Sequence, residues 1–274
     1  MKQILITCVN HNSYKELKTF LSSINNAAKR AERQCNVVVL VADNSDKKET
    51  INTAYYSSIL CYVYSVANNG YINSAQEAML QYGSSKCQQA DFVIVSNVDI
   101  SLTETFFSQL LILKTTDIGW IVPRIYTPSR KTEENPSAIY RYSKFKLQIL
   151  KCLFSVPFLL RCYEKTIRLI KCQQRQKSAT SLQEKIIYAG HGSIFIFTKN
   201  IIQNIFPFNY PCFLYGEELY FAELLRRNHL HTCFYPQLEV ENTYANVSTS
   251  KLKYAQRCKY NYIAIRYILN EFYT

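Results

Sequence analysis

The stretch Ala90-Asp91-Phe92-Val93-Ile94-Val95-Ser96-Asn97-Val98-Asp99-Ile100 decides the fold. Phe92 to Val95 is bulky and largely β-branched with no polar interruption, the pattern of a strand covered on both faces in a mostly parallel sheet. The run stops abruptly in Asn97-Val98-Asp99. In open α/β sheets, ligands bind beyond the carboxyl ends of the strands. An Asp there can ligate a divalent cation through oxygen, and that cation can neutralise a diphosphate. Asn and Asp are also the commonest turn residues, so taken alone they fit a turn into the helix expected from Thr103 equally well.

Upstream, Lys2 to Val9 reads as a first strand, closed by Asn10-His11-Asn12-Ser13. A helix is predicted from Tyr14 to about Glu32, with Ser13 as N-cap, Glu16 completing a capping box, and Leu17, Phe20, Leu21 and Ile24 on one face. Val37 to Ala42 is a second strand followed by Asp43-Asn44-Ser45. Ile59 to Val66 is a third, followed by Asn68-Asn69-Gly70-Tyr71. A helix from about Asn73 to Tyr82 leads into the Phe92 strand, and a helix from Thr103 to Lys114 leads to a strand at Ile118 to Val122. This alternation predicts a parallel, doubly wound sheet. Successive parallel strands bring their carboxyl ends to one edge, so Asn12, Asp43, Asn69 and Asp99 are expected to converge. A dinucleotide dehydrogenase uses the same edge, but the first strand is followed by no Gly-x-Gly-x-x-Gly, and no Walker Gly-x-x-x-x-Gly-Lys occurs. Phosphates bound here would be held through a metal rather than a glycine loop.

Two constellations lie in the second half. Tyr188-Ala189-Gly190-His191-Gly192-Ser193 sets a glycine-flanked His before the buried-strand pattern Ile194 to Phe197. Phe213-Leu214-Tyr215-Gly216-Glu217-Glu218 opens a helix whose Leu219, Ala222 and Leu224 or Leu225 would face the core. Carboxylates are favoured at a helix N-terminus on electrostatic grounds alone. Aromatic, partly dry surroundings can also raise a carboxylate pKa enough to make it a general base. His229, His231 and Cys233 alternate as zinc ligands on one strand face would, but no fourth ligand accompanies them.

The 274 residues allow one large α/β domain with an appendage, and 48% hydrophobic with 19% charged residues is a globular composition. No run of about 18 apolar residues predicts a membrane span, and the start of the chain does not resemble a signal peptide, so a cytoplasmic location is expected. The ten cysteines are scattered without a C-x-x-C and read as reduced, mostly buried thiols. The net charge of +12 is concentrated between Tyr140 and Ile186, where eleven Lys or Arg face only Glu164 and Glu184. Interleaved with Ile149, Leu150, Phe154, Phe158 and Ile167, this charge suits a segment lying on an anionic membrane surface, and it also fits an ordinary helical excursion with a solvated basic face. No nucleic-acid-binding module accompanies it, so nucleic acid is not an expected partner. From Ser248 onwards, residues including Tyr254, Arg257, Ile265 and Leu269 suggest a basic, aromatic helix. It could pack on the domain, hold it at a membrane or form a homo-oligomer contact.

In order and spacing, Asp43-Asn44-Ser45, Asn69-Gly70-Tyr71, Ser96-Asn97-Val98-Asp99, Gly190-His191-Gly192-Ser193 and Phe213 to Glu218 resemble the inverting family 2 glycosyltransferases of GT-A fold. They are most similar to the rhamnosyltransferase-like branch that builds bacterial surface polysaccharides. The resemblance covers roughly residues 1–245, with the basic insertion at about 140–186 and a C-terminal helical extension at 246–274. It implies a Rossmann-like, mostly parallel sheet with helices on both faces. It further implies transfer from a nucleotide-sugar to a lipid-linked oligosaccharide, in capsule or O-antigen synthesis at the inner face of the cell membrane.

By resemblance, Asp43 contacts the nucleotide base, with Asn12, Asn44, Asn69 and Gly70 lining the donor pocket. Asp99, with Asn97 at the first position of the Asp-x-Asp motif, serves a Mg or Mn ion on the donor diphosphate. His191 lies near the sugar or its diphosphate, and Glu218, preceded by Glu217, takes the acceptor proton. The sequence departs from the family where Asn97 replaces an Asp, where Glu218 replaces the commoner Asp, and at Glu239-Val240-Glu241-Asn242, where relatives carry a metal-binding His. Asn242 or Glu241 could substitute. The alternative these departures support is a non-catalytic, nucleotide-sugar-binding subunit of a polysaccharide assembly complex.

Overall fold

In the computed structural model, which describes residues 1–129, 131–158, 160, 161, 183–243 and 253–274, the Phe92 run is a central strand. In chain order the elements are β1 (Lys2–Asn10), α1 (Tyr14–Arg30), β2 (Cys35–Asp43), β3 (Leu60–Ser65), α2 (Tyr71–Tyr82), α3 (Ser84–Gln89), β4 (Phe92–Asn97), β5 (Ile100–Leu102), α4 (Phe106–Leu111), β6 (Ile118–Thr127), β7 (Thr132–Glu133), α5 (Lys144–Ser155), β8 (Lys185–Ile187), β9 (Ile194–Thr198), α6 (Lys199–Ile205), α7 (Glu217–Arg227), β10 (His231–Asn242) and α8 (Tyr254–Phe272). The sheet order is β3-β2-β1-β4-β9-β6-β10-β5, with β7 on β6 and β8 on β10.

β3, β2, β1 and β4 are parallel neighbours, as the alternation predicts. β6 shares their direction but is not the neighbour of β4, because β9 lies between them and runs against both. An apolar run reports burial on two faces, not chain direction, so this reversal was not visible in composition. Side chains alternate across the sheet as the pleat requires. Ile4, Ile6, Phe92, Ile94, Ile194 and Ile196 enter a core under α1 and α4. Leu5, Val93, Val95, Phe195 and Phe197 enter the opposite core, under α2, α7 and α8.

Several local expectations are corrected. Ser13 caps nothing with its side chain; its hydroxyl donates to the His11 carbonyl, because Asn12 turns the chain at φ +53°. The start of α1 is set instead by burial of Tyr14, Leu17, Phe20, Leu21 and Ile24. β3 is a largely exposed edge strand, with Leu60, Tyr62 and Val63 facing solvent. The helix expected over 103–114 shortens to α4 because Ile100–Leu102 pairs antiparallel with β10. A register shift between His231 and Thr232 leaves His231 exposed while Cys233 is buried, so these two do not share a ligand face. Cys8, Cys35, Cys87, Cys212 and Cys233 are buried free thiols, and Cys258 is buried too.

The C-terminal helix α8 packs on the domain, burying Ala264, Ile265, Ile268, Leu269 and Phe272 in the same core as α7. A polar clamp closes this packing. The Glu223 side chain is fully buried and accepts from Arg141 at 2.7 and 3.1 Å, Arg226 at 2.9 Å and the Tyr188 hydroxyl at 2.8 Å. Arg141 also donates to the Phe272 carbonyl of α8 at 3.2 Å. Burial acts to raise the Glu223 pKa, but these donors outweigh it and hold it below its ordinary value. Such a carboxylate contributes stability above its unfolded pKa, and this is lost as pH falls through its folded pKa. Arg141→Ala is therefore expected to cost about 2 kcal/mol at neutral pH, less than for a fully buried pair because Arg226 remains and Arg141 is partly solvated. Thermal melting as a function of pH should show that deficit shrinking in acid.

Candidate active site

The parallel register brings the polar strand ends level, with Asn10 opposite Asp43 and Val9 opposite Asn97. Asp43 is only 3% exposed. Its Oδ1 accepts from the Ser45 hydroxyl at 2.6 Å and from Asn10 at 3.1 Å, and its Oδ2 accepts from the Tyr14 hydroxyl at 2.9 Å, with Lys48 Nζ at 3.6 Å. Burial acts to raise the Asp43 pKa, but the hydrogen bonds from Ser45 and Tyr14 prevail and lower it. The Ser45 N–H adds a third bond to Oδ1 at 3.2 Å, so four donors and the Lys48 ammonium already engage this carboxylate, which has about four lone-pair sites.

The neighbouring asparagines fix loops. Asn12 Nδ2 donates to Asp46 at 3.0 Å, and the Asp46 N–H returns a bond to Asn12 Oδ1 at 3.2 Å, clamping the segment after β2. Asn44 Nδ2 donates to Ser74 Oγ at 3.1 Å, and the Ser74 hydroxyl donates to Asn69 Oδ1 at 3.0 Å. Gly70 adopts φ +107°, and a Cβ there would lie 2.1 Å from the Phe213 carbonyl oxygen. That oxygen accepts from the Tyr71 N–H at 3.3 Å. Only glycine permits this approach, which docks the Asn69-Gly70-Tyr71 turn on the loop leading to Glu217 and Glu218.

A second link joins β4 to the same helix. The Ser193 carbonyl accepts from the Asn97 N–H at 2.9 Å, and the Gly192 N–H donates to Glu218 Oε1 at 3.1 Å. A Cβ on Gly192 would lie 2.6 Å from that oxygen, so the glycine makes room for the carboxylate. His191 Nδ1 lies 3.0 Å from Ser193 Oγ, and the His191 N–H donates to buried Asn135 Oδ1 at 2.7 Å. Asn97, the His191 turn and Glu218 are thus one bonded cluster. Asp99, 8% exposed, meets the end of β10 through its carbonyl, which accepts from the Thr243 N–H at 3.0 Å.

Glu217 turns inward and is 6% exposed, while Glu218 is half-buried. Burial, and then the charge of Glu218, push the Glu217 pKa well above the usual carboxylate range, against the pull of nearby backbone N–H groups. The Tyr71 hydroxyl is buried and has no hydrogen-bond partner among the described residues. Burial raises its pKa first, followed by the negative charges of Glu217, Asp99 and Glu218, so all three carboxylates act on this one phenol. Sequence reading gave Tyr71 no role beyond its place after Gly70, and Asn10, Tyr14, Ser45, Lys48 and Asn135 carried no signal beyond their nearness to the motifs.

Among the described residues, no three His, Cys, Asp or Glu side chains gather as a preformed metal cage. Asp99 and Asn97 offer hard oxygen donors at the strand edge. This donor set fits Mg or Mn, since such an ion is commonly held by one or two carboxylates while substrate phosphates and water complete its shell.

The fold is that of the GT-A glycosyltransferases. GalNAc-T7 with UDP, GalNAc and Mn2+ superposes with a TM-score of 0.60 at 13% identity, over 98% of this chain and 48% of that one. S. aureus TarS superposes with a TM-score of 0.52 at 12% identity, over 100% of this chain and 43% of that one. Its 1–349 segment gives 0.52 at 10% identity, over 97% and 72%. The chain spans less than half the length of the first two. No family model matches the sequence, and no curated protein matches it.

A buried acid whose folded pKa is raised contributes stability that is present below its unfolded pKa and lost as pH rises through its folded value. Glu217→Gln removes that loss. The melting temperature of the variant relative to the parent is expected to increase from about pH 4, where an unfolded glutamate ionises, to about pH 8, and to level off above it; a difference that is flat over that range would show that Glu217 is already ionised in the folded protein.

Proposed function

We propose that the protein is an inverting glycosyltransferase that moves a sugar from a nucleotide-sugar to a hydroxyl of a saccharide acceptor. The observation that carries this reading is the bonded cluster of Asn97, Gly192, Ser193 and Glu218, which ties the Glu218 carboxylate to the carboxyl end of β4. The motif order favours the rhamnosyltransferase-like branch, and with it a lipid-linked acceptor in capsule or O-antigen synthesis at the inner face of the cell membrane.

In this reading, Asp43 and the loop it holds through Ser45 and Asn10 lie at the nucleotide base, in a pocket bounded by Asn12, Asn44, Asn69 and Gly70. Asp99, with Asn97, holds a Mg or Mn ion, which supplies charge neutralisation for the departing diphosphate. His191, oriented by Asn135 and Ser193, faces the sugar side of the pocket. Glu218, fixed at Oε1 by the Gly192 N–H, accepts the proton of the acceptor hydroxyl as its oxygen attacks the anomeric carbon from the face opposite the leaving diphosphate. The new glycosidic bond forms as the sugar–phosphate bond breaks, and the configuration inverts. Glu217 is a positioning residue beneath it.

Glu218→Gln keeps the acceptor atom for Gly192 but cannot take a proton. Transfer is expected to fall by about 10² to 10⁴, with the donor dissociation constant nearly unchanged by calorimetry. Asp99→Ala should weaken donor binding measured with Mn and leave binding measured in chelator little altered. Normal turnover by Glu218→Gln would remove that residue from the catalytic role. Slow hydrolysis of a nucleotide-sugar by the parent protein would argue against the non-catalytic alternative.

A further inference from the structure

Helix α5 turns bulky apolar side chains to solvent. Leu147 is its only fully buried residue, and with half-buried Leu150 and Phe154 it packs on the core that includes α8. On the outer side, Phe145 is 71% and Ile149 42% exposed, one turn apart, and Val156 and Phe158 follow at 43% and 71%. From Tyr140 to Arg161 the chain carries five Lys or Arg and no Asp or Glu. Arg141 is engaged with Glu223, but exposed Lys144 and half-buried Lys151 make no ion pair among the described residues. The remainder of the basic stretch, residues 162–182, lies outside the described residues.

An apolar stripe flanked by lysines is ill-suited to a second copy of itself, because the like charges would meet. It complements a surface that is apolar inside and anionic at its rim, which is the chemistry of an acidic-lipid bilayer. No helix among the described residues is long and apolar enough to cross a membrane, so contact would be in the plane of the surface.

The helix also begins beside the site. Tyr142, just before it, stacks near Tyr188 at 6.0 Å between ring centroids, and Lys146 Nζ sits 3.5 Å from the centroid of the Tyr142 ring. Burial raises the Tyr142 pKa, and the charge of Glu218 adds to that, so this phenol lies within the field of the proposed base. We propose that α5 and the residues just after it, through Phe145, Ile149, Val156 and Phe158 with Lys144 and Lys151, dock on an anionic bilayer and present Glu218 to an acceptor carried at that surface. The docking stands on this segment alone, whereas the delivery to Glu218 rests on the transferase reading.

The test is sedimentation of the full chain with vesicles of phosphatidylglycerol and phosphatidylcholine, compared with phosphatidylcholine alone. Binding to the anionic vesicles is expected to be at least about tenfold stronger and to weaken with added salt. Phe145→Ser with Ile149→Ser, and separately Lys144→Glu with Lys151→Glu, should each reduce it by about tenfold or more while melting temperature and UDP binding stay those of the parent. Undiminished binding by both double variants, equal binding to neutral vesicles, or concentration-dependent self-association abolished by the apolar variants would overturn the proposal. Vesicle binding is read without donor or acceptor. A protein that docks but transfers no sugar would therefore retire the function and keep the docking, and the reverse result would do the opposite.

Discussion

Two hydrogen bonds made by one short turn hold the candidate site together. Ser193 accepts from the Asn97 N–H, and Gly192 donates to Glu218, so the end of the central strand and the start of α7 are both tied to the same two residues. The magnitudes favour order. Freezing a glutamate side chain costs up to about 2 kcal/mol of rotamer entropy, and a hydrogen bond to a charged acceptor returns about 1.5 to 3 kcal/mol. Glu218 can thus be held in one orientation at little net cost. Gly192 is what allows it, because any β-carbon there would occupy the space of the carboxylate.

That turn reaches the site only because β9 runs against its neighbours. In the antiparallel pairing Ser96 lies opposite Ile194, so the residues entering β9 arrive at the carboxyl end of β4. A parallel strand in the same slot would place its entry at the other edge of the sheet, far from Asn97. The reversed strand pairs with both β4 and β6, and its Phe195 and Phe197 pack at a tilt against Trp120 and Phe221, so the element that breaks the parallel pattern is also among the most buried. Packing and site geometry therefore share a single cause.

The limits of sequence reading follow from the same physics. Apolar runs ending in polar clusters revealed β1, β2, β4 and the carboxyl edge, since burial on two faces leaves a periodic trace in the residues themselves. The direction of β9 leaves no such trace. Nor did the partners of Asp43 show, because Asn10, Tyr14, Ser45 and Lys48 meet it only once two strands are in register. Ser13 illustrates the converse: the capping signature is present, but positive φ at the preceding Asn12 redirects the hydroxyl to His11. The C-terminal helix was legible as a helix. Its place beside α7 depends on Ala264 meeting Gly216 and on Arg141 bridging Glu223 to Phe272, contacts between distant segments that one-dimensional patterns do not carry.

Adjacent glutamates at the head of α7 are a liability unless their environments differ. Two ionised carboxylates in sequence, one of them in dry aromatic surroundings, repel each other strongly because water is not there to screen them. The helix resolves this by geometry: successive residues point about 100° apart, so Glu217 turns into the core toward Tyr71 while Glu218 turns to Gly192. Burial keeps the proton on Glu217, which removes a like charge from beside Glu218. As proposed, the pair resembles other two-carboxylate sites, in which surroundings keep one of the two groups neutral. In the proposed transferase reading, a base at position 218 follows from how the chain buries position 217.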